Sequence, residues 1–296
     1  MNATSHPPHG HGIYTRRSAL SAMGLLGAAE LLGPLSATAE AEKSKSKDIT
    51  DADIFNFALN LESLETEYYL RGTTGKGMDD KDGGSDPGVV TGGKKVPWEN
   101  EDLRQFMEEV AANELAHVRY YRRVLGKDAV SRPAIDLGGF TAAAKAAGLG
   151  DDFDPFASEM NFFLGGMLME DVGVTAYHGA APLIKDKKFL GAAAGILAVE
   201  AYHMGMARSV LYRMGSKARE AANALSATRD KLDGPGDVDQ GILVKEKANI
   251  VPSDEDGIAF SRTPQQVLRI VYLADKAGVS SGGLFPNGMN GTIKTT

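Results

Sequence analysis

The 296-residue chain contains no cysteine. Disulfides, thiolate-held metals and cysteine nucleophiles are therefore all excluded. Positive charge is not in excess either. The formal net charge is −7, which argues against a nucleic-acid binder and against a basic membrane-surface protein. Strand-like alternation of useful length is missing, which leaves helices as the regular structure to look for. Histidine is scarce: the chain has six, and three of them (His6, His9 and His11) lie close to the N-terminus. What the chain does have is apolar content, at 43%, enough to bury at least one substantial core.

The first 41 residues read as a leader outside the fold. Thr15, Arg16, Arg17 and Ser18 precede an apolar run from Ala19 to Leu35, and Ala37-Thr38-Ala39 has the small-x-small form of a cleavage site. The paired arginines point to the twin-arginine route, which carries folded proteins, and to a periplasmic or secreted destination. Gly27, Glu30, Gly33 and Pro34 interrupt the run short of the ~20 apolar residues that a membrane span needs. Residues 42–49 follow as a lysine-rich linker, residues 50–291 as the folded domain, and residues 292–296 as a tail.

Within the domain, Thr50 or Asp51 caps a first helix whose apolar positions Ile54, Phe55, Ala58, Leu61, Leu64 and Tyr68 recur at threes and fours. Gly72 is expected to end it. Residues 72–95, rich in glycine, aspartate and lysine, read as a long surface loop of the kind that is usually functional or mobile. A second helix is expected over 99–125, with Phe106, Val110, Leu115, Val118 and Leu125 as its stripe. A short alanine-rich helix follows near 140–147, then long helices over about 155–180 and from Lys187 to about Met214. A further helix covers 216–231, and Thr263 with Pro264 opens the last one. Four long helices with one long connection describe an all-α four-helix bundle.

Outside the leader only His117, His178 and His203 remain. Two of these close the same pattern, Glu114-x-x-His117 and Glu200-x-x-His203, on the second and fourth long helices. A separation of three puts both side chains on one helical face, within reach of one ion. Carboxylate oxygen with imidazole nitrogen suits iron, manganese or zinc better than calcium or magnesium. A paired-metal bundle also needs an inward glutamate from each of the other two helices. Glu170 sits among Phe163, Met167, Met169 and Val172, where an unpaired carboxylate would be costly. On the first helix Glu62 and Glu65 both lie at the edge of the stripe, one turn apart, and the choice between them stays open. Glu67 falls further round, toward solvent. Glu159 reads as a favourable charge at a helix N-terminus. Tyr69 and Tyr177 each follow a glutamate by seven residues and so share its face, most simply as core. His178 is read as a structural histidine.

The order Glu62, Glu114-x-x-His117, Glu170, Glu200-x-x-His203 resembles the ligand order of ferritin-like di-iron and di-manganese proteins. Several stretches are more specific: LNLESLETEYYLRG (59–72), NELAHVRYYRRVLG (113–126), MEDVGVTAYHGAAPLI (169–184), AVEAYHMGMARSVLY (198–212), FSRTPQQVLRIVYL (260–273) and GGLFPNGMNG (282–291). These are similar to the ferritin-like domain family that includes the desiccation-related proteins. The resemblance spans about residues 50–291. It implies a ferritin-like, left-handed up-down bundle with a long first loop, an extra C-terminal helix and a metal pair near its middle. The cofactors implied are two iron or two manganese ions, bridged by Glu114 and Glu200, with Glu62, His117, Glu170 and His203 as terminal ligands. Redox chemistry with peroxide or dioxygen in stress protection is the leading expectation. A non-catalytic desiccation protectant whose metal pair only staples the bundle is the second, and metal sequestration the third. A homodimer fits such a bundle, whereas the long loop and the C-terminal extension argue against a hollow storage cage.

Overall fold

Thr50 opens the first helix by a reciprocal cap. Its hydroxyl accepts from the Asp53 N–H at 3.2 Å, and the Asp53 carboxylate accepts from the Thr50 N–H at 2.9 Å. The structure is a computed structural model that describes residues 48–296; the expected leader and nearly all of the 42–49 linker lie outside the described residues. Helix α1 runs Asp51–Thr74, two residues past the expected stop. Gly75, at φ +83°, is the terminating left-handed residue. Gly72 has another task. A methyl there would stand 2.1 Å from the Phe162 ring, so this glycine lets α1 approach the helix that carries Phe162.

The other long helices are α3 (Glu101–Leu125), α5 (Glu159–Ala180) and α6 (Lys187–Arg213). They form two closely packed pairs, α1 with α3 and α5 with α6, and the two pairs meet where α1 faces α5. On α3 the inward stripe is Met107, Val110, Glu114, His117, Val118 and Tyr121. Phe106, expected in the core, is 41% exposed. The face is turned by one residue, because Met107 keeps the helical spacing to Val110 and Glu114 and Phe106 does not. By length and composition α6 could cross a membrane, yet its Glu200, His203 and Arg208 are buried against the rest of the bundle.

The connection from α1 to α3 is less irregular than expected. It contains a short helix, α2 (Asp80–Gly83), and a two-residue strand, β1 (Val90–Thr91), which pairs in parallel with β2 (Ile135–Asp136). This layer lies over α1 and overturns the expectation for Glu67. That carboxylate is fully buried, 2.9 Å from Arg71 and in an ion pair with Arg132. A periodicity argument presumes that one face of a surface helix meets water; here the returning loop covers it.

Helix α4 (Gly139–Ala146), α7 (Ser216–Asp233) and α8 (Pro264–Tyr272) flank the bundle, with a small hairpin of β3 (Leu243–Val244) and β4 (Lys247–Ala248) before α8. One apolar cluster, with Tyr68 stacked 4.6 Å from Phe162, fills the α4, α7 and α8 side; a second, around Phe55, Val118 and Ile196, fills the other end. Apolar packing therefore lies on both sides of the mid-bundle carboxylates.

Candidate metal centre

All six residues singled out from the sequence converge. The stripes of α3 and α6 carry Glu114-x-x-His117 and Glu200-x-x-His203 inward, and α1 and α5 supply Glu62 and Glu170. Ligand-type atoms of Glu62, Glu114, His117 and Glu200 all lie within 4.8 Å of one another, and so do those of Glu114, Glu170, Glu200 and His203. Glu114 and Glu200 are common to both groups. The four glutamates are no more than 1% exposed, a placement that is very costly for carboxylates without compensation.

The hydrogen bonds do not supply that compensation. Glu114 Oε1, Glu170 Oε2, both oxygens of Glu200 and Nδ1 of His203 have no hydrogen-bond partner. His203 Nδ1 and Glu114 Oε1 are only 2.9 Å apart, yet they are not aligned as donor and acceptor. His117 Nδ1 sits 3.1 Å from Glu62, 3.2 Å from Glu114 and 3.6 Å from Glu200. Lone pairs gathered around common points, with too few protons between them, are the donor set of a cation site. These residues could hold a metal ion in either group, and nitrogen with carboxylate oxygen suits a first-row transition metal.

The protonation pattern carries the same message. Burial raises Glu62 to about 7 and raises Glu170, and it pushes Glu200 well above the carboxylate range. Burial also opposes ionisation of Glu114, but the two histidines more than offset it and hold that carboxyl low. Burial disfavours the charged imidazoles as well; even so the surrounding carboxylates, Glu62 first for His117 and Glu170 first for His203, lift the rings to about 11 and about 10. Protonation offsets part of the negative charge that the gathered carboxylates would otherwise carry.

Two tyrosines support the glutamates, but crosswise. The Tyr69 hydroxyl of α1 donates to Glu170 of α5 at 2.5 Å, and the Tyr177 hydroxyl of α5 donates to Glu62 of α1. Tyr121 adds a link, 2.7 Å from the Tyr177 hydroxyl. Their spacing from a glutamate was visible in the sequence; that each serves the glutamate of the other helix was not. Asn113, whose amide lies 3.2 Å from His203 Nε2, had no signal at all. His178 stays outside the cluster, its Nδ1 3.1 Å from the Phe260 carbonyl. Glu159 accepts from the N–H groups of Glu99 and Asn100 at 2.8 and 2.6 Å, just before the start of α3, so it serves a neighbouring helix N-terminus as well as its own.

Beside the carboxylates runs a polar seam that the sequence did not announce. Arg208, Arg229 and Arg262 are at most 2% exposed. Arg208 and Arg229 both pair with Asp171, at 2.8 and 2.5 Å, and Asp239 takes Arg229 and Arg262 at 2.8 and 2.6 Å. They tie α5, α6 and α7 to the loop that precedes α8.

The model of the ferritin-like domain matches residues 50–213, which is the whole of the four long helices. The chain belongs to the ferritin-like domain family. Within it, the chain is similar to the desiccation-related protein PCC13-62 of Craterostigma plantagineum, 31% identical over 245 residues, 74% of this chain and 76% of the relative. It is also similar to the ferritin-like catalase Nec2 of Nesocodon mauritianus, 28% identical over 270 residues, 83% of this chain and 85% of the relative. No solved structure matches the chain. As a ferritin-like protein it has the expected all-α bundle, and α7, α8 and the tail lie beyond the matched domain.

Proposed function

We propose that this chain binds two iron or manganese ions between its long helices and uses them in redox chemistry with peroxide or dioxygen. Glu62 and His117 would hold one ion, Glu170 and His203 the other, with Glu114 and Glu200 shared. The observation that carries this reading is that two four-residue groups have those two glutamates in common. When bound, such a pair would supply two-electron redox chemistry toward peroxide or dioxygen.

The chain's own residues prepare the site for that chemistry. Tyr69 and Tyr177 fix one oxygen each of Glu170 and Glu62 and leave the other facing a histidine, His203 at 3.5 Å and His117 at 3.1 Å. Apolar side chains surround the site. Between α1 and α5 a narrow pocket lined by Phe57, Leu61, Ala176 and Ala180 reaches Glu62 and Glu65. It has about 30 Å³ of room, space for about two waters at ~10–15 Å³ each. That is room for a molecule the size of peroxide or dioxygen. That a relative is named a ferritin-like catalase supports peroxide as the substrate, consumed as two peroxides to two waters and one dioxygen.

The test is elemental analysis of the purified protein beside a Glu114→Ala, Glu200→Ala double variant. About two ions per chain, absent from the variant, followed by peroxide-driven spectral change and dioxygen release, is the expected result. A wild-type protein that takes up neither metal would sink the proposal.

One observation favours a second reading. The six residues come from all four long helices, so bound metal would tie the whole bundle together, and a relative is named a desiccation-related protein. In a purely stabilising role, chelation would lower the melting temperature sharply and no oxidant would be consumed. Export by the twin-arginine route belongs to the proposal as well. It is supported by Arg16, Arg17 and the apolar run that follows, and a fusion of residues 1–41 to a reporter would test it.

A further inference from the structure

Glu62, Tyr69 and Glu114-x-x-His117 correspond in spacing to Glu170, Tyr177 and Glu200-x-x-His203. The crossed tyrosine bonds support Glu62 and Glu170 alike. The equivalence breaks outside the histidines. The residue before Glu114 is Asn113, and the residue before Glu200 is Val199. A valine side chain has no polar atom to offer. Asn113 reaches from α3 across to α6, its amide 3.2 Å from Nε2 of His203.

Both rings turn Nδ1 toward the carboxylates. His203 Nδ1 lies 2.9 Å from Glu114 and 3.5 Å from Glu170. His117 Nδ1 lies 3.1, 3.2 and 3.6 Å from Glu62, Glu114 and Glu200. An ion shared with those oxygens would take Nδ1, which leaves the ring proton on Nε2. That N–H needs an acceptor, and a half-turn of the amide places the oxygen of Asn113 where His203 can use it. Among the described residues, every hydrogen bond and ion pair of His117 runs from Nδ1, so its outer nitrogen has no such acceptor. Tyr121 supports the Glu62 half only at one remove, through Tyr177. The pocket between α1 and α5 marks the same difference: it reaches Glu62, and neither Glu170 nor His203 lines it.

We propose that Asn113 is a positioning residue that makes the Glu170–His203 half the tightly held half of the metal pair. The Glu62–His117 half, which the pocket reaches, is then the half that exchanges its ion. This rests on the dinuclear reading above and deepens it, because it sets the order of loading. A ring already fixed in plane and tautomer loses less freedom on binding than one held by the ion alone. The first ion therefore settles between Glu170 and His203, and the second, against Glu62 and His117, is the first to leave.

The experiment titrates metal-free protein with Mn(II), following free ion by its electron paramagnetic resonance signal, for wild type, Asn113→Leu and Asn113→Asp. Wild type should bind two ions in two unequal steps. Asn113→Leu keeps the bulk and removes the acceptor, so the tighter step should weaken by at least about tenfold, the scale on which metal sites respond to loss of a group that orients a ligand. The weaker step should stay as it is. Asn113→Asp restores an acceptor and should restore the tighter step, a rescue that a packing role would not give. The step lost in Asn113→Leu should also be the one that Tyr69→Phe weakens, since Tyr69 serves Glu170. Two unchanged steps in folded Asn113→Leu protein overturn the inference and leave the dinuclear reading standing. So does a loss confined to the weaker step, or an equal loss in the leucine and aspartate variants. Wild-type protein that binds neither Mn(II) nor iron removes the dinuclear reading itself, and the role of Asn113 with it.

Discussion

Tyr69 stands seven residues after Glu62 on α1, yet its hydroxyl donates at 2.5 Å to Glu170 on α5. The bond crosses between the two helix pairs, and its counterpart from Tyr177 to Glu62 crosses the other way. Glu62 and Glu170 are therefore each oriented by the helix that does not carry it. Helix–helix register and the geometry of the carboxylate cluster are coupled.

Tyr69→Phe should then act on one half of the centre and Tyr177→Phe on the other. Each variant leaves a buried carboxylate oxygen without its donor, which costs about 1–3 kcal/mol of stability. Metal affinity should fall by about 10–100-fold in one binding step, the usual effect of removing a group that orients a ligand. Urea denaturation of metal-free protein reads the first effect and Mn(II) titration the second. A loss spread equally over both steps would contradict the crossed arrangement.

Metal-free protein should lose stability as pH rises from about 5 to 8. Glu62 is raised from 4.5 to about 7 in the folded chain. A raised folded pKa means that the native state holds its proton more tightly, so the contribution is complete below 4.5 and is lost as pH rises through 7. The histidines run the same way, because their folded values of about 11 and about 10 keep them charged where the unfolded rings have already lost their protons. Glu114, held low, opposes this only below its ordinary range. Denaturation midpoints at pH 5 and pH 8 with chelator present check the sign.

Metal binding should reverse that slope. A protonated Glu62 or His117 cannot ligate, so ions must displace protons and affinity rises with pH. With metal a thousandfold above its dissociation constant, stabilisation by mass action is about 4 kcal/mol. Chelation should therefore lower the melting temperature more at pH 8 than at pH 5. Equal shifts at the two pH values would show that no protons are displaced.

Much of this architecture was legible because helical period and chemistry agree. Glu114 and His117 lie one helical turn apart on the face that Val110 and Val118 mark, so the pattern that finds the helix also finds two members of the cluster, although Phe106 was read into that face in place of Met107. Glu170 stood out because a carboxylate among methionines, valine and phenylalanine needs a reason. Legibility failed wherever burial comes from a distant segment. Glu67 reads as a surface residue until the loop bearing β1 and the segment carrying Arg132 fold over it. Glu62 and Glu65 could not be separated by period; the atoms of α3 separate them, since His117 lies against Glu62. The arginine seam was invisible for the same reason. Arg208, Arg229 and Arg262 sit on different elements, and only the fold brings them to Asp171 and Asp239.

That seam yields the last expectation. Arg229 donates to Asp171 and Asp239 and also to the carbonyls of Met167 and Leu168 on α5, so it fastens α7 to the helix that carries Glu170. Arg229→Ala would leave two buried aspartates short of a partner and open a void, a loss of about 3–5 kcal/mol. Arg229→Met fills the void and isolates the charge effect, so it should recover part of that loss. Asp171 keeps Arg208 at 2.8 Å in both variants, which holds α5 against α6 and the six clustered residues in place. Mn(II) stoichiometry should therefore match wild type below the shortened unfolding transition, while the urea midpoint falls. Loss of metal together with stability would mean that the seam positions Glu170 itself, and that the outer helices are part of the centre rather than its support.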